Sequence, residues 1–472
     1  MFGITDARSI IAICVILAVF TTPALAKELY VDVNRGSDSV SYEDNSVNSP
    51  WATVGRAAWG STTRNSPNSS EAAQAGDTVN VAPGVYATTQ GTGERYDPIY
   101  NPVNNGRPGS PITFLAEGVV TLQSDTNTIG EPIIGTYQRD YIVWDGFHIN
   151  EIDVDTKADT GPVVVWGSEN VAIQNLTVEG KTVNWGDNHN AIRVEFSTDS
   201  LIRNNRLSGN RGGANNYNGS AIMLYNSGRI VIEHNEIWNA QGGIFIKGGP
   251  ADNYEITVRY NLLHDLSVGI THGVVSSSGH SFGARTYQNI LYSNGSAIIF
   301  IGYTGSSPAN IVVANNTLFG NNYGIFLKPS TAGYNDIVLC NNIVSTANFG
   351  IQGEDISDVS STDFSHNIYS DVNTHARVSY TSLSFASWRS NYSQDEIGST
   401  QADPLFQNAS ALDFRLSSGS PAFGAGTDVL NLGSDGSGSS VNLGAYVSGN
   451  EIIGVTTEPL VLAKVPAPPT LQ

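Results

Sequence analysis

The chain has 472 residues, 40% of them hydrophobic and 49 of them glycine, which is ample apolar material for a large core. Its 43 acidic against 23 basic residues leave a net charge of -20, which argues against a nucleic-acid partner because phosphate binding needs a basic surface. The two cysteines, Cys14 and Cys340, exclude a disulfide framework if Cys14 leaves with a cleaved leader.

Residues 1–26 read as such a leader: Arg8, an apolar run from Ile10 to Phe20, and the small-residue pattern Ala24-Leu25-Ala26 before Lys27. The run is shorter than the roughly 20 residues a spanning helix needs, so the reading is a secreted or periplasmic protein with no membrane partner after cleavage. Leu29 to Val33 (LYVDV) then reads as a short strand, followed by a polar loop from Asn34 to Pro50. Trp51 to Trp59 (WATVGRAAW) has apolar residues at near-helical spacing, which predicts a helix plugging the end of a solenoid. GDTVNVAPGVY at 76–86, SPITFLAEG at 110–118 and DYIVWDGFHI at 140–149 read as the first coils.

From residue 171 the chain repeats itself. Asn175, Asn205, Asn235, Asn261, Asn289, Asn316, Asn342 and Asn367 recur at roughly 25 to 30 residues, and Asp145 aligns with Asn175 by its flanking pattern. A second stretch repeats with them: AIRVE at 191–195, AIMLY at 221–225, GIFIK at 243–247, GITHG at 269–273, AIIFI at 297–301, GIFLK at 324–328 and GIQGE at 350–354. Two strand-like segments per repeat, with almost no helical pattern, predict an all-β fold, a single-stranded parallel β-helix. Stacked coils put one position about 4.8 Å above the next, so asparagines can bond up and down the stack. The expected organisation is leader 1–26, β-helix 27–370, a C-terminal cap or flap 371–450, and a Pro-rich tail 451–472. Cys340, beside the ladder, reads as a buried inert thiol.

Period-two alternation divides the second stretch into faces. Ile192, Ile222, Ile244, Ile270, Ile298, Ile325 and Ile351 point inward, with Val194, Leu224, Ile246, Phe300 and Leu327 two positions on. Arg193, Met223, Phe245, Thr271, Ile299 and Phe326 point outward, as do Glu195, Tyr225, Lys247, Gly273, Ile301 and Lys328. His272 falls on the inward row, where a core imidazole is the alternative to a substrate contact. The apolar outward stretch from Ile299 to Phe326 calls for a cover, and the segment after 371 is the expected one.

Glu195, Tyr225 and Lys247 share one outward row on three successive coils, so Tyr225 should lie about 5 Å from each. That cluster suits eliminative cleavage of a uronic-acid polymer, which needs carboxylate neutralisation, a base for the C5 proton and a proton for the departing oxygen. Arg193 would pair with the substrate carboxylate, Lys247 and Tyr225 would share base and acid duties, and Glu195 with Asp187 would hold a calcium ion. His189, Asn190, His272 and Phe245 would extend the binding surface. The competing reading is a plain Arg193–Glu195 ion pair.

LYVDVNRGSD, GDTVNVAPGVY, the Asn-ladder coils, SSGSPAFGAGT and NLGAYV together resemble the secreted right-handed β-helix proteins, which include the pectate lyases and the alginate lyase and chondroitinase B family. The resemblance covers nearly the whole mature chain and implies a right-handed parallel β-helix acting on an anionic polysaccharide. In the alginate lyase and chondroitinase B family a strand lysine is the base and an arginine one coil later the acid. Lys247 matches the lysine in context, whereas Thr271 and His272 stand where the arginine would be. The family's paired calcium glutamates are reduced to Glu195, and the Asp-rich calcium cluster of pectate lyases is not evident. A β-helix glycoside hydrolase would draw on Asp187 and Glu195 as its two carboxylates. A third reading is a non-catalytic carbohydrate-binding surface or matrix protein.

Overall fold

A computed structural model describes residues 26–88, 90–91, 93–124, 132–150, 161–180, 188–209, 217–303, 305–330, 333–355, 359–360, 362–391, 397–432 and 440–457. The expected leader, Asp187 and the stretch from 458 to the C-terminus lie outside these residues. Among the described residues no helix is long and apolar enough to cross a membrane.

A typical coil gives one short strand to each of three sheets, of 14, 12 and 11 strands, and every coil-to-coil pairing along the body is parallel. A representative coil is Leu201–Arg203, Arg206–Ser208 and Ser220–Tyr225, in the first, second and third sheets in turn. The bend between the first two sheets has a local cause. Asn204, His234, Tyr260, Gln288, Asn315 and Asn341 all sit there at φ between 53° and 57°, a left-handed conformation that turns the chain sharply. Side chains other than asparagine adopt it at a cost, and the next residue supplies the compensation.

That next residue is the ladder asparagine. Amide nitrogens of Asn205, Asn235, Asn261, Asn289, Asn316 and Asn342 each donate to the side-chain oxygen of the asparagine one coil on, at 2.9 to 3.2 Å. Asn261 also donates to the carbonyls of Ile232 and Arg259, and its own oxygen accepts from the Asn235 backbone at 3.0 Å. One member of the expected ladder is misplaced. Leu176 occupies the ladder position of its coil, its backbone donating to Asn205 Oδ1, while Asn175 lies one residue earlier in the outer file and accepts from Asn204. Asp145 likewise pairs in register with Gln174 rather than Asn175. The flanking apolar pattern tolerates a one-residue slip that the hydrogen bonds do not.

The inward rows of the third sheet are fully buried, from Ile192 through Ile351 and from Val194 through Leu327. Each such aliphatic side chain contributes about 2 kcal/mol from area removed from water. His272 belongs to this core: it stacks on Phe300 at 5.2 Å, and burial pushes its imidazole down to about 3. Burial raises the Cys340 thiol to about 12, as expected of an inert core sulfur.

The helix Val54–Trp59 plugs the N-terminal end, as the spacing predicts. Thr53 caps it by accepting from the Arg56 backbone, Gly60 ends it at φ 69°, and Trp59 donates to the Ile99 carbonyl at 3.0 Å. At the other end the solenoid outruns its expected limit of 370: Thr374–Val378 joins the third sheet and Thr400–Gln401 pairs with Ile368–Tyr369. The C-terminal segment is not the cover expected over Ile299 and Phe326. It runs back along the bend between the first and second sheets, bonding Asn341 through Thr427 and Gly444, Asn315 through Asn442, and Gln288 through Glu451. Residues 451–457, expected to be loose tail, continue this strap to Tyr260 and Asn204, where Thr456 makes reciprocal bonds of 2.7 and 3.0 Å. Polar side chains pointing outward at the bend offer the strap partners, and its Phe414, Leu443 and Ala445 bury against Ile290, Ile343 and Ile368 of the second sheet.

Two outcomes follow from this packing. Asn261→Ala strands several buried carbonyls and donors, so the urea midpoint should show a loss of at least about 2 kcal/mol, against under about 0.5 kcal/mol for an exposed asparagine such as Asn322. His272 and His375 are held neutral by burial, at about 3 and about 4 when folded. The unfolded chain takes up their protons first, near pH 6.5, so their contribution is complete above that pH and is lost as pH falls toward the folded values. Denaturation at pH 7 and pH 5 should show His272→Leu losing less stability with acid than the parent, by up to about 1.4 kcal/mol per pH unit.

Candidate functional site

The outward row containing Glu195, Tyr225 and Lys247 is in register, Glu195 opposite Tyr225 and Tyr225 opposite Lys247. It continues upstream to Trp166 and Tyr137, and downstream to Gly273 and Ile301. Lys247 Nζ lies 5.1 Å from the Tyr225 ring centroid and donates to Asn218 Oδ1 at 2.6 Å. On the other side of Tyr225, the Arg193 guanidinium sits 5.9 Å from the same ring and 5.9 Å from that of Tyr96. Tyr137 stacks on Trp166 at 4.7 Å, Tyr96 lies parallel to Trp166 at 6.4 Å, and Phe196, 47% exposed, meets its edge. The result is a file in which rings and cations alternate along the axis. Tyr137, Trp166, Tyr225 and Lys247 are half-buried and reachable from solvent.

The neighbouring outward row is closed. Met223, Phe245, Thr271 and Ile299 are each at most 2% exposed although the strand alternation turns them away from the core. The turn Tyr217–Gly219 lies against the strand that carries Phe245 and Lys247, anchored by Asn190, whose amide donates to the carbonyls of Asn218 and Ser220 at 2.8 and 2.7 Å.

These contacts revise four of the expected substrate contacts. Asn190, fully buried, holds that turn and has no face to offer a ligand. His189 is 3% exposed, Phe245 2%, and His272 lies in the core bonded to Thr286 at 3.1 Å. Arg193 also changes character. Its Nε donates to Glu195 Oε2 at 2.8 Å, both side chains are 6% exposed, and Asn190 Oδ1 accepts from it at 3.3 Å. The ion pair is therefore the observed arrangement, buried rather than solvated, and Arg193 meets the Tyr225 ring on the inner side of the site.

A calcium ion takes six to eight oxygens. Here Glu195 brings one carboxylate, already engaged by Arg193, and Asp187 lies outside the described residues. No group of three His, Cys, Asp or Glu among the described residues could hold a metal. Among the described residues the donors do not fit the ion.

Tyr96, Tyr137, Trp166 and the pair Tyr217-Asn218 are the members of this surface that sequence reasoning missed. Trp166 and Tyr137 were detectable, since VVVWG at 163–167 and IGTY at 134–137 align with the Glu195 strand once the repeat is extended upstream. Tyr96 and Tyr217 reach the sheet from loops, where no periodicity places them.

Residues 156–318 match the family model described as right handed beta helix region, and the fold as a whole is that of a right-handed parallel β-helix. Over 425 residues the chain is 23% identical to the uncharacterized protein YwoF of Bacillus subtilis (strain 168), covering 75% of this chain and 86% of that one. Among solved structures, pectate lyase Pel9A is similar with a TM-score of 0.52 at 16% identity, over 89% of this chain and 96% of the other. XylC, solved in complex with xylose, also gives a TM-score of 0.52, at 12% identity over 80% of this chain and 87% of that one. At such identities what is shared is the fold.

Because Glu195 serves Arg193, Glu195→Ala should destabilise by about 3 kcal/mol, the cost of leaving a buried guanidinium alone, while Glu195→Gln loses less. Guanidinium chloride midpoints of both variants check this, and an unchanged midpoint in Glu195→Ala would remove the structural role.

Proposed function

We propose that this protein is an exported polysaccharide lyase that cleaves a uronate-bearing chain by β-elimination at Lys247 and Tyr225. The single observation carrying the reading is the pair itself: an ammonium 5.1 Å over a phenol ring, both half-buried, on the accessible row of a chain whose net charge is otherwise -20. The Tyr225 ring and Asn218 Oδ1 together hold the Lys247 ammonium in place beside the phenol. The two groups take separate duties. Tyr225 Oη takes the C5 proton, the freed electron pair forms the C4–C5 double bond, the C4–oxygen bond breaks, and Lys247 gives a proton to the departing oxygen while its charge offsets the substrate carboxylate.

Likeness of fold to pectate lyase Pel9A supports the reaction class, and the half-buried Tyr137 and Trp166 beside the pair support a sugar ligand. A hydrolase is less well supported, since it needs two carboxylates astride the bond and Glu195 is committed to Arg193. A binding protein without turnover is the second reading; the half-buried rings Tyr137 and Trp166 would serve a bound sugar without any chemistry.

Incubation with polygalacturonate, alginate and chondroitin should generate ultraviolet absorbance from unsaturated uronate on at least one. Lys247→Ala and Tyr225→Phe should each lower that rate by at least about 10²-fold with the fold retained by circular dichroism. New reducing ends without absorbance would replace the lyase by a hydrolase, and retention of a polymer without product would replace it by a binder.

A further inference from the structure

The closed outward row raises a question of access that bears on how a chain can lie on this face. Lys247, Gly273 and Ile301 follow one another on successive coils, and Lys328 comes next after Leu327, which pairs with Phe300. Lys247 and Lys328 are thus three coils, about 14 Å, apart along the axis. Both reach the same short turn: Lys247 Nζ bonds Asn218 at 2.6 Å, and Lys328 Nζ lies 5.6 Å from the Tyr217 ring. Tyr217-Asn218 therefore spans the space between the two lysines, over the coils that carry Gly273 and Ile301. The burial of Phe245, Thr271 and Ile299 beneath it agrees with that position.

The turn is fixed from several sides. Asn190 holds the carbonyls of Asn218 and Ser220, Ser220 Oγ donates to the Tyr217 carbonyl at 2.7 Å, and Lys328 braces the ring while also lying 4.9 Å from Phe326. Upstream of Lys247 the same row presents half-buried Tyr225, Trp166 and Tyr137.

We infer that the Tyr217–Gly219 turn is a barrier across the groove immediately downstream of Lys247, so that the site accepts the end of an acidic polysaccharide chain and not its interior. The chain lies toward Trp166 and Tyr137, and its terminal sugars stop against Tyr217. This rests on the proposed acidic-polysaccharide ligand and adds the mode of engagement. Tyr217 is a specificity-determining residue in this account, and Lys328 positions it.

The test uses the full chain carrying Tyr225→Phe, which keeps the ring but suppresses turnover, and titrates it calorimetrically with short and long size fractions of polygalacturonate and of alginate. The expected result is one protein per chain whatever the length. In the same background Tyr217→Ala, or Lys328→Ala should the first variant fold poorly, should raise the number of proteins bound per long chain several-fold and leave short chains at one. A stoichiometry that grows with chain length before either change would overturn the barrier and leave the proposed function standing. One protein per long chain persisting in a folded Tyr217→Ala variant would overturn the barrier as well. No binding of any acidic fraction would remove both.

Discussion

Register is the constraint on which everything else in this molecule depends. Coils of unequal length, from the 25 residues between Asn342 and Asn367 to the 30 between Asn205 and Asn235, still present the same position at the same height. The asparagine ladder makes this possible because each side chain satisfies the bend of its own coil and the backbone of the coil before it, so a slip of one residue would strand buried donors and acceptors all along the bend. Length variation is thereby pushed into the loops that enter and leave the third sheet, and Tyr217 and Asn218 arise in a loop that enters it.

A strongly acidic chain can host a site for an anionic ligand only where cations are gathered locally. The outer face of the third sheet does this by setting each cation against a ring: Arg193 between Tyr96 and Tyr225, Lys247 over Tyr225 and Phe245, Lys328 over Phe326 and Tyr217. Rings hold a cation in place without neutralising it. Arg193 is the exception, since Glu195 cancels its charge.

Much of this was legible in the repeat. Alternation within AIMLY and GIFIK assigned the inward and outward rows correctly, and it put Glu195, Tyr225 and Lys247 in one file. Period two says which side of the sheet a residue faces, however, and not whether that side meets water. Phe245 and Arg193 face outward and are buried all the same, because Tyr96 and the 217–219 turn come over them. The error in the ladder was of another kind: Asn175 has the right neighbours but stands one residue early in its coil, and its bond to Asn204 places it in the outer file.

What the sequence by itself determined is the solenoid, its capping helix and the membership of the third-sheet files, because these follow from short-range periodicity repeated many times. The tertiary structure alone decided that Arg193 and Glu195 neutralise each other, that the C-terminal strap follows the bend instead of the third sheet, and that a turn stands between Lys247 and Lys328. Those are contacts between segments of different period, and a repeat carries no information about how far a loop leans across its neighbours.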